Sequence, residues 1–235
     1  MGSCASCISN VNNSPGNLEL EEGELSAKSP VGNISTVYET LPSEYENHFV
    51  TKVYDGDTLT LRSKSNGPNS SRQRVRLIGI DAPEIKECQP FAEEAKKFTL
   101  DSCENMNIYL SFEPNGDKKD RYGRLVAWIW LKVNGGGYLN VNEALVAKGL
   151  ASVYFYGPGK LQNRDKMISL QRSARKQKIG KWADFIDGSV LKTPNGQRYH
   201  CTRDCTHLQR SNKLISLKAS VALDIGLSPC RGCHK

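Results

Sequence analysis

Two aspartates around a glycine form the first candidate site in this 235-residue chain. Asp55 and Asp57 flank Gly56, and Thr58 follows them. Carboxylate oxygens held close together are the ligands that Ca²⁺ prefers. An ordinary Asp-Gly turn carries the same residues, and the 12-residue spacing and closing glutamate of an EF-hand loop are missing. This segment alone therefore leaves a calcium site and a plain turn open.

A second candidate segment, residues 76–84, places an apolar run between one arginine and two carboxylates. Asp81 could complete a metal site, and Glu84, which follows Pro83, could act as a base on water. Arg76 and Asp81 are five residues apart, which is about 16 Å in a straight strand, and such residues point to opposite faces. Their side chains can therefore meet only if the strand bends sharply.

A third segment, residues 120–124, reads Asp-Arg-Tyr-Gly-Arg, and alone it indicates a hairpin connection with solvated charges. Together with the run Asn-Glu-Ala-Leu-Val-Ala-Lys-Gly-Leu-Ala at residues 142–151, the three segments resemble the staphylococcal nuclease family, in the order of that family. The resemblance covers about residues 48–183. It implies an OB-fold, a five-stranded β-barrel with three helices in the α+β class. The curved strands of such a barrel would supply the missing bend.

The resemblance also implies the ligands of a calcium ion. Asp57 and Asp81 would bind Ca²⁺ through their carboxylates, whereas Asp55 would not. Ala82 would bind through its backbone carbonyl, at a position where many family members have threonine. A carbonyl ligand tolerates that change because the side chain is not involved.

The catalytic residues implied by the resemblance are Arg76, Glu84 and Arg124. Hydrolysis of a phosphodiester places extra negative charge on the phosphoryl oxygens, which two guanidinium groups would stabilise. Glu84 would act as the general base on the attacking water.

Four further residues would contact the substrate by the same resemblance. Arg121 and Tyr122 would contact a terminal phosphate, and Tyr154 and Tyr156 would line the nucleotide pocket, if one residue is deleted before Tyr154. Aromatic faces stack on any base, so such a pocket would show little sequence preference. Packing against the barrel is the alternative role for these tyrosines.

Close cysteine pairs near the C-terminus predict a zinc-binding module at residues 187–235. Two close pairs separated by a spacer suit a tetrahedral Zn²⁺ site, and the segment resembles the small metal-binding domain of the Ada DNA-repair protein. His200 or His207 could replace Cys201 as a ligand, and free or disulfide-bonded thiols are the alternative. The predicted zinc ligands are Cys201, Cys205, Cys230 and Cys233.

Hydrophobic patterns predict the elements that must position these side chains. Asn140 and Glu143 resemble a capping box for a short helix that ends at Gly149. A polar loop is expected at residues 63–73. The predicted strands are 48–53, 58–62, 74–80, 107–112 and 125–133, and the other predicted helices are 89–102 and 163–178.

The N-terminal segment, residues 1–47, is rich in Ser, Asn, Gly and Glu and is predicted to be a disordered tail. It begins with the myristoylation pattern Met-Gly-x-x-x-Ser. One myristoyl chain anchors only marginally, and the acidic linker that follows cannot supply a basic second signal. We therefore expect myristate on Gly2 and palmitate on Cys4, Cys7 or both. No secretory signal and no apolar run of about 18 residues is found.

Charge separates the tail from the nuclease-like part. The chain carries +7 overall, and residues 1–47 hold seven glutamates and one lysine, so the remainder carries +13. Such a charge suits nucleic acid, although a solvated basic surface would give the same number. We interpret residues 48–186 as a calcium-dependent nuclease domain that acts on DNA, RNA or both. We expect a monomer on the cytoplasmic face of a membrane; a non-catalytic binding module is the alternative.

Overall fold

The computed structural model describes residues 35–62, 72–155 and 161–233. The predicted acylation sites and Tyr156 lie outside these ranges, as does most of the loop predicted at 63–73. In chain order the strands are β1 (Val37–Tyr38), β2 (Glu46–Asp55), β3 (Thr58–Leu61), β4 (Arg74–Leu77), β5 (Ile80–Asp81), β6 (Asn107–Ser111), β7 (Leu125–Lys132), β8 (Tyr138–Asn140), β9 (Ser152–Val153), β10 (Ser189–Lys192), β11 (Arg198–Tyr199), β12 (Ile215–Lys218) and β13 (Ser228–Pro229). The helices are α1 (Ala92–Cys103), α2 (Val141–Ala147), α3 (Arg164–Lys176) and α4 (Ala219–Asp224), with 3-10 turns at Ile85–Glu87, Gly180–Trp182 and Thr206–Leu208.

Five strands close into a barrel, which confirms the fold expected from the sequence. β2 pairs with β3, β3 with β4, β4 with β7, β7 with β6, and β6 returns to β2. All these pairs are antiparallel except β4 with β7. Buried apolar side chains from all five strands fill one large core, and α1, α2 and α3 pack against it.

Helix α2 begins as the capping pattern predicts. The side chain of Asn140 accepts the backbone N–H of Glu143. Glu143 does not complete the reciprocal half of the box. Its buried carboxylate instead forms an ion pair with Lys166 at 2.7 Å and accepts a hydrogen bond from Tyr38 at 2.7 Å.

The predicted boundary of the tail at residue 47 is wrong. β2 begins at Glu46. β1 lies well inside the predicted tail and pairs with β8 of the barrel domain. Tyr38 is fixed there because its hydroxyl bonds to Glu143 and its ring packs edge-on against Trp130, with centroids 5.1 Å apart. The sequence did not reveal the contact between Tyr38 and Glu143 because the two residues are 105 positions apart in the chain.

A second core joins α3 to the C-terminal segment. Ala174 and Trp182 pack in one buried cluster with residues of β10, β11 and α4. The predicted boundary at residue 187 therefore marks a change of sequence type and lies within a continuous packed structure.

Candidate active site

The turn at Asp55 and Asp57 is held by helix α1. A Cβ atom added to Gly56 would lie 2.8 Å from the Cβ atoms of both Ala82 and Ala95, so no side chain fits there. Thr99 of α1 donates a hydrogen bond to the Gly56 carbonyl at 2.7 Å. The glycine thus lets helix and turn approach closely, and the two aspartates project from a fixed backbone.

A break in the strand brings Arg76 to Asp81. The predicted strand 74–80 is two strands, because β4 ends at Leu77 and β5 begins at Ile80. Between them Gly79 has φ +78°, a left-handed conformation that side chains disfavour. As a result Arg76 Nη2 lies 2.8 Å from Asp81 Oδ1. This break supplies the sharp bend that the spacing required.

Asp57 is buried and surrounded by donors. Its carboxylate forms an ion pair with Arg76, and it accepts the backbone N–H of Ala82 at 2.7 Å and the hydroxyl of Thr58 at 3.1 Å. The side chain of Asp81 remains 43% exposed. The two predicted calcium carboxylates therefore share one arginine, and Asp81 offers the more accessible oxygen atoms.

Asp55 belongs to the same cluster, although the resemblance gave it no role. One of its carboxylate oxygens accepts the backbone N–H of Asp57 at 3.1 Å. Burial raises the pKa of Asp55, and the positive charge of Arg76 opposes this rise. The signal that could have identified Asp55 was its spacing of two residues from Asp57 across a turn.

Glu84 follows Pro83 in the loop before the 3-10 turn. Its backbone N–H donates to the side chain of Gln89 at 2.9 Å, which fixes the loop. Partial burial raises the pKa of Glu84, and the negative charges of Asp55 and Asp81 raise it further. A higher pKa makes the carboxylate a stronger base, which suits proton abstraction near neutral pH.

Arg124 is oriented by Asp120. Its Nε lies 2.7 Å from Asp120 Oδ2, and Asp120 Oδ1 accepts the backbone N–H groups of Arg124 and Tyr122. Partial burial alone would raise the pKa of Asp120, but the hydrogen bonds from Arg124 hold it below the ordinary value. Burial lowers the pKa of Arg76, and the charge of Arg124 adds to that effect. The two arginines are thus near enough to repel each other.

The predicted substrate-binding residues occupy two places. Arg121 donates to the hydroxyl of Tyr122 at 2.7 Å, and Tyr122 as a residue is 68% exposed. Tyr154 is half-buried, and its backbone N–H donates to the Gly79 carbonyl at 2.9 Å, which ties it to the strand break. Arg121 and Tyr122 therefore lie in the segment that carries Arg124, and Tyr154 is bonded to Gly79 at the strand break beside the charged cluster.

A cluster of potential metal ligands forms in the C-terminal segment. The ligand atoms of His200, Cys205, Cys230 and Cys233 all lie within 4.8 Å of one another. His200 Nδ1 is 3.3 Å from the Cys205 sulfur, which is 3.8 Å from the Cys230 sulfur. One imidazole and three thiols at this separation match the ligand chemistry of Zn²⁺.

The structure places His200, an alternative ligand that the sequence left open, in this cluster instead of Cys201. His200 is buried and its backbone pairs with Leu191, whereas Cys201 is exposed and its thiol donates to the Cys233 carbonyl. Neighbouring residues of an extended chain point to opposite sides, so the pairing of His200 turns Cys201 outward. His207 lies beside the cluster, with its Nδ1 3.2 Å from the Cys230 sulfur.

No helix in the described ranges has the length and apolar character needed to cross a membrane.

The fold and the site define a small closed β-barrel with carboxylates and arginines gathered at a strand break. Residues 74–184 match the family described as staphylococcal nuclease homologue. The chain is 32% identical over 143 residues to a thermonuclease of Staphylococcus hyicus, covering 59% of this chain and 77% of that protein. It is 33% identical over 141 residues to a thermonuclease of Staphylococcus intermedius, covering 58% and 76%. An uncharacterized endonuclease of Haemophilus influenzae is 33% identical over 152 residues, covering 64% and 74%. The chain belongs to the staphylococcal nuclease family.

Proposed function

We propose that this protein is a calcium-dependent nuclease that hydrolyses phosphodiester bonds of DNA, RNA or both. The observation that carries the proposal is the meeting of Arg76 with Asp57 and Asp81, with Glu84 and Arg124 acting on the same cluster. A barrel needs none of these charges, and burying a charge costs free energy even when pairing offsets part of the cost. The relatives named thermonuclease and endonuclease support the same activity.

The donor set fits a hard divalent cation. Asp57 and Asp81 offer carboxylate oxygens, and the backbone carbonyl of Ala82 is the proposed third ligand. Asp55 lies close enough to contribute charge, since it bonds to the backbone of Asp57. The chemistry that Ca²⁺ supplies when bound is stabilisation of negative charge on the phosphate.

Side chains of this protein would bind the substrate and move the proton during hydrolysis. Arg76 and Arg124 would bind the oxygens of the scissile phosphate, each as a planar donor that keeps its charge. Glu84 would accept a proton from the attacking water and orient it. Arg121, Tyr122 and the tyrosines at 154 and 156 would bind the rest of the nucleotide, a role that rests on the family resemblance.

The test compares the full chain with Glu84→Gln and Arg124→Ala on single- and double-stranded DNA and RNA, with Ca²⁺ or with a calcium chelator. Loss of the base is expected to lower kcat about 10²–10⁴-fold, and loss of the arginine about 10²–10³-fold. Glu93→Gln, at an exposed glutamate of α1, is the matched control. Equal hydrolysis by all four proteins would rule out the assignment. Binding of nucleic acid by the unsubstituted chain without hydrolysis would favour the alternative, a non-catalytic binding module.

We also propose that His200, Cys205, Cys230 and Cys233 bind a structural Zn²⁺. Four protein ligands would close the coordination sphere, so the ion would stabilise the fold rather than activate water. Metal analysis of the purified protein should give about one zinc per chain. Cys205→Ser should lose the zinc and Cys201→Ser should keep it. Zinc loss in both variants would instead support the ligand set predicted from the sequence.

Membrane attachment stays a prediction from the sequence. The proposal is that myristate on Gly2 and palmitate on Cys4 or Cys7 hold the protein at the cytoplasmic face of a membrane, where free Ca²⁺ is scarce. Calcium rises would then switch the nuclease on. Labelled fatty acids should be incorporated, and Gly2→Ala should abolish myristate incorporation. Full activity at sub-micromolar Ca²⁺ would contradict the proposed switch.

A further inference from the structure

The C-terminal segment is fixed against the barrel by charged and apolar contacts. Asp224 of α4 accepts hydrogen bonds from Arg172 at 2.7 Å and from Arg175 at 3.0 Å, both on α3. The buried cluster that includes Trp182 extends these contacts. The position of the segment relative to the barrel is therefore set by packing, and any group it carries has a defined place.

A second contact lies close to the predicted nucleotide pocket. Gly226 has φ +84°, and a side chain there would overlap the ring of Phe155. Phe155 follows Tyr154, which bonds to the strand break at Gly79. The loop after α4 therefore packs directly beside the segment that carries the predicted pocket.

The turn between Cys230 and Cys233 presents Arg231 to the active-site loop. The Cys233 N–H donates to the Cys230 carbonyl at 3.3 Å and closes the turn, and the Cys230 N–H donates to the Tyr199 carbonyl at 2.9 Å and ties the turn to β11. Arg231 Nη1 lies 3.7 Å from a carboxylate oxygen of Glu87, three residues beyond Glu84. Burial raises the pKa of Glu84, and Arg231 is one of the charges that oppose this rise.

The ion pair of Arg231 with Glu87 is weak enough to be exchanged for a phosphate. The two side chains are 64% and 47% exposed, and ion pairs between exposed side chains contribute little to stability because water screens their attraction. An arginine binds phosphate through two parallel hydrogen bonds and keeps its charge. The surrounding carboxylates repel a polyanion, so a cation at this rim has a clear electrostatic use.

We propose that Arg231 is a substrate-binding residue that contacts a phosphate of the polynucleotide beside the scissile one. This rests on the proposed nuclease function and extends the substrate site to the cysteine-rich segment. A substrate with a single phosphodiester has no flanking phosphate and would not use Arg231. The C-terminal segment thereby makes the enzyme select longer nucleic acids.

The test measures kcat and KM of the full chain, Arg231→Ala and Arg231→Lys on a polynucleotide and on bis(p-nitrophenyl) phosphate over a range of salt. In Arg231→Ala, KM for the polynucleotide is expected to rise several-fold, with kcat within twofold and no change on the small diester. The slope of log KM against log salt should fall by about 0.7–0.9, the value for one lost phosphate contact. Arg231→Lys should keep most of the slope. Arg210→Ala, at an exposed arginine of the same segment, should match the unsubstituted protein.

A second measurement separates this proposal from the proposed function. Binding of labelled single-stranded DNA to Glu84→Gln and to Glu84→Gln/Arg231→Ala is followed by fluorescence anisotropy, which needs no hydrolysis. A salt slope that falls by about one phosphate supports the contact even if the unsubstituted chain cleaves nothing. Unchanged KM and unchanged slope in Arg231→Ala would overturn the contact, as would equal losses on the small diester or in Arg210→Ala.

Discussion

Gly79→Ala tests whether the break between β4 and β5 assembles the site. The left-handed conformation at φ +78° costs a residue with a side chain about 1–2 kcal/mol. The new Cβ would also lie 2.8 Å from Leu161 Cδ2, and overpacking of this kind costs about 1–3 kcal/mol. Because that atom is the end of a flexible side chain that can move, the cost falls in the lower part of this range. The expected loss of stability is about 2–4 kcal/mol.

Gly135→Ala is the matched control for the backbone term. Gly135 has φ +86° and nothing within 4 Å of an added Cβ, so only the conformational cost of about 1–2 kcal/mol applies. Thermal unfolding should show a fall in Tm of about 2–4 °C per kcal/mol for a chain of this size. Adding Leu161→Ala to Gly79→Ala should lessen the extra loss caused by the close contact.

Hydrolysis assays complete the test of the strand break. Arg76 and Asp81 meet because the chain turns at Gly79, and a displacement of about 1 Å in such a site can lower the rate about 10²-fold. We expect kcat/KM to fall in Gly79→Ala and to be unchanged in Gly135→Ala. Equal stability of the two variants, with activity as in the unsubstituted protein, would refute the reasoning.

Three further changes follow from the contacts described above. Thr99→Val removes the donor to the buried Gly56 carbonyl and should lower the free energy of unfolding by about 1–3 kcal/mol. Thr99→Ser keeps the hydroxyl and should lower it by about 1 kcal/mol through the lost methyl group. If denaturant unfolding gave the reverse order, it would contradict the role of the hydrogen bond. Asp187 has a lowered pKa, chiefly because it accepts the Ser220 N–H, so it stabilises the fold above the ordinary aspartate pKa of 3.8 and loses this effect as pH falls through its own lower pKa. Asp187→Asn should therefore lower stability slightly at pH 7, by less than about 1 kcal/mol, and the difference should shrink as the pH falls below 3.8. A difference that grows in acid would show the sign to be wrong. Cys205→Ser should raise KM for a polynucleotide because the turn that carries Arg231 loses its anchor; an unchanged KM in protein shown to lack zinc would disprove this link.

Local patterns in the sequence predicted the strands and helices, whereas the barrel was implied by the resemblance to the staphylococcal nuclease family. The sequence also predicted the capping of α2, since Asn140 and Glu143 are three residues apart and their contact is local. It predicted that Arg76 and Asp81 could meet only at a bend, but it did not locate the bend. The pattern of residues 74–80 predicts one continuous strand through Gly79, because an isolated glycine inside an apolar run does not reveal its φ angle.

Contacts between distant parts of the chain explain what the sequence did not predict. Tyr38 is held in place by its hydrogen bond to Glu143, and no local sequence pattern indicates this contact. The choice between His200 and Cys201 depends on which side of an extended segment faces the cluster, and that is set by pairing with Leu191. Arg231 gains its position only when the C-terminal segment packs on α3, so its nearness to Glu87 had no signal in the sequence.

The mixed core of Ala174, Trp182 and the C-terminal segment has a consequence for how the protein can be dissected. A chain cut at residue 187 would expose Trp182, now 4% exposed, together with the apolar side of α3. The two parts should therefore unfold in one cooperative transition. Truncation would remove both a substrate contact and part of the support of the barrel, so only point substitutions can separate those effects.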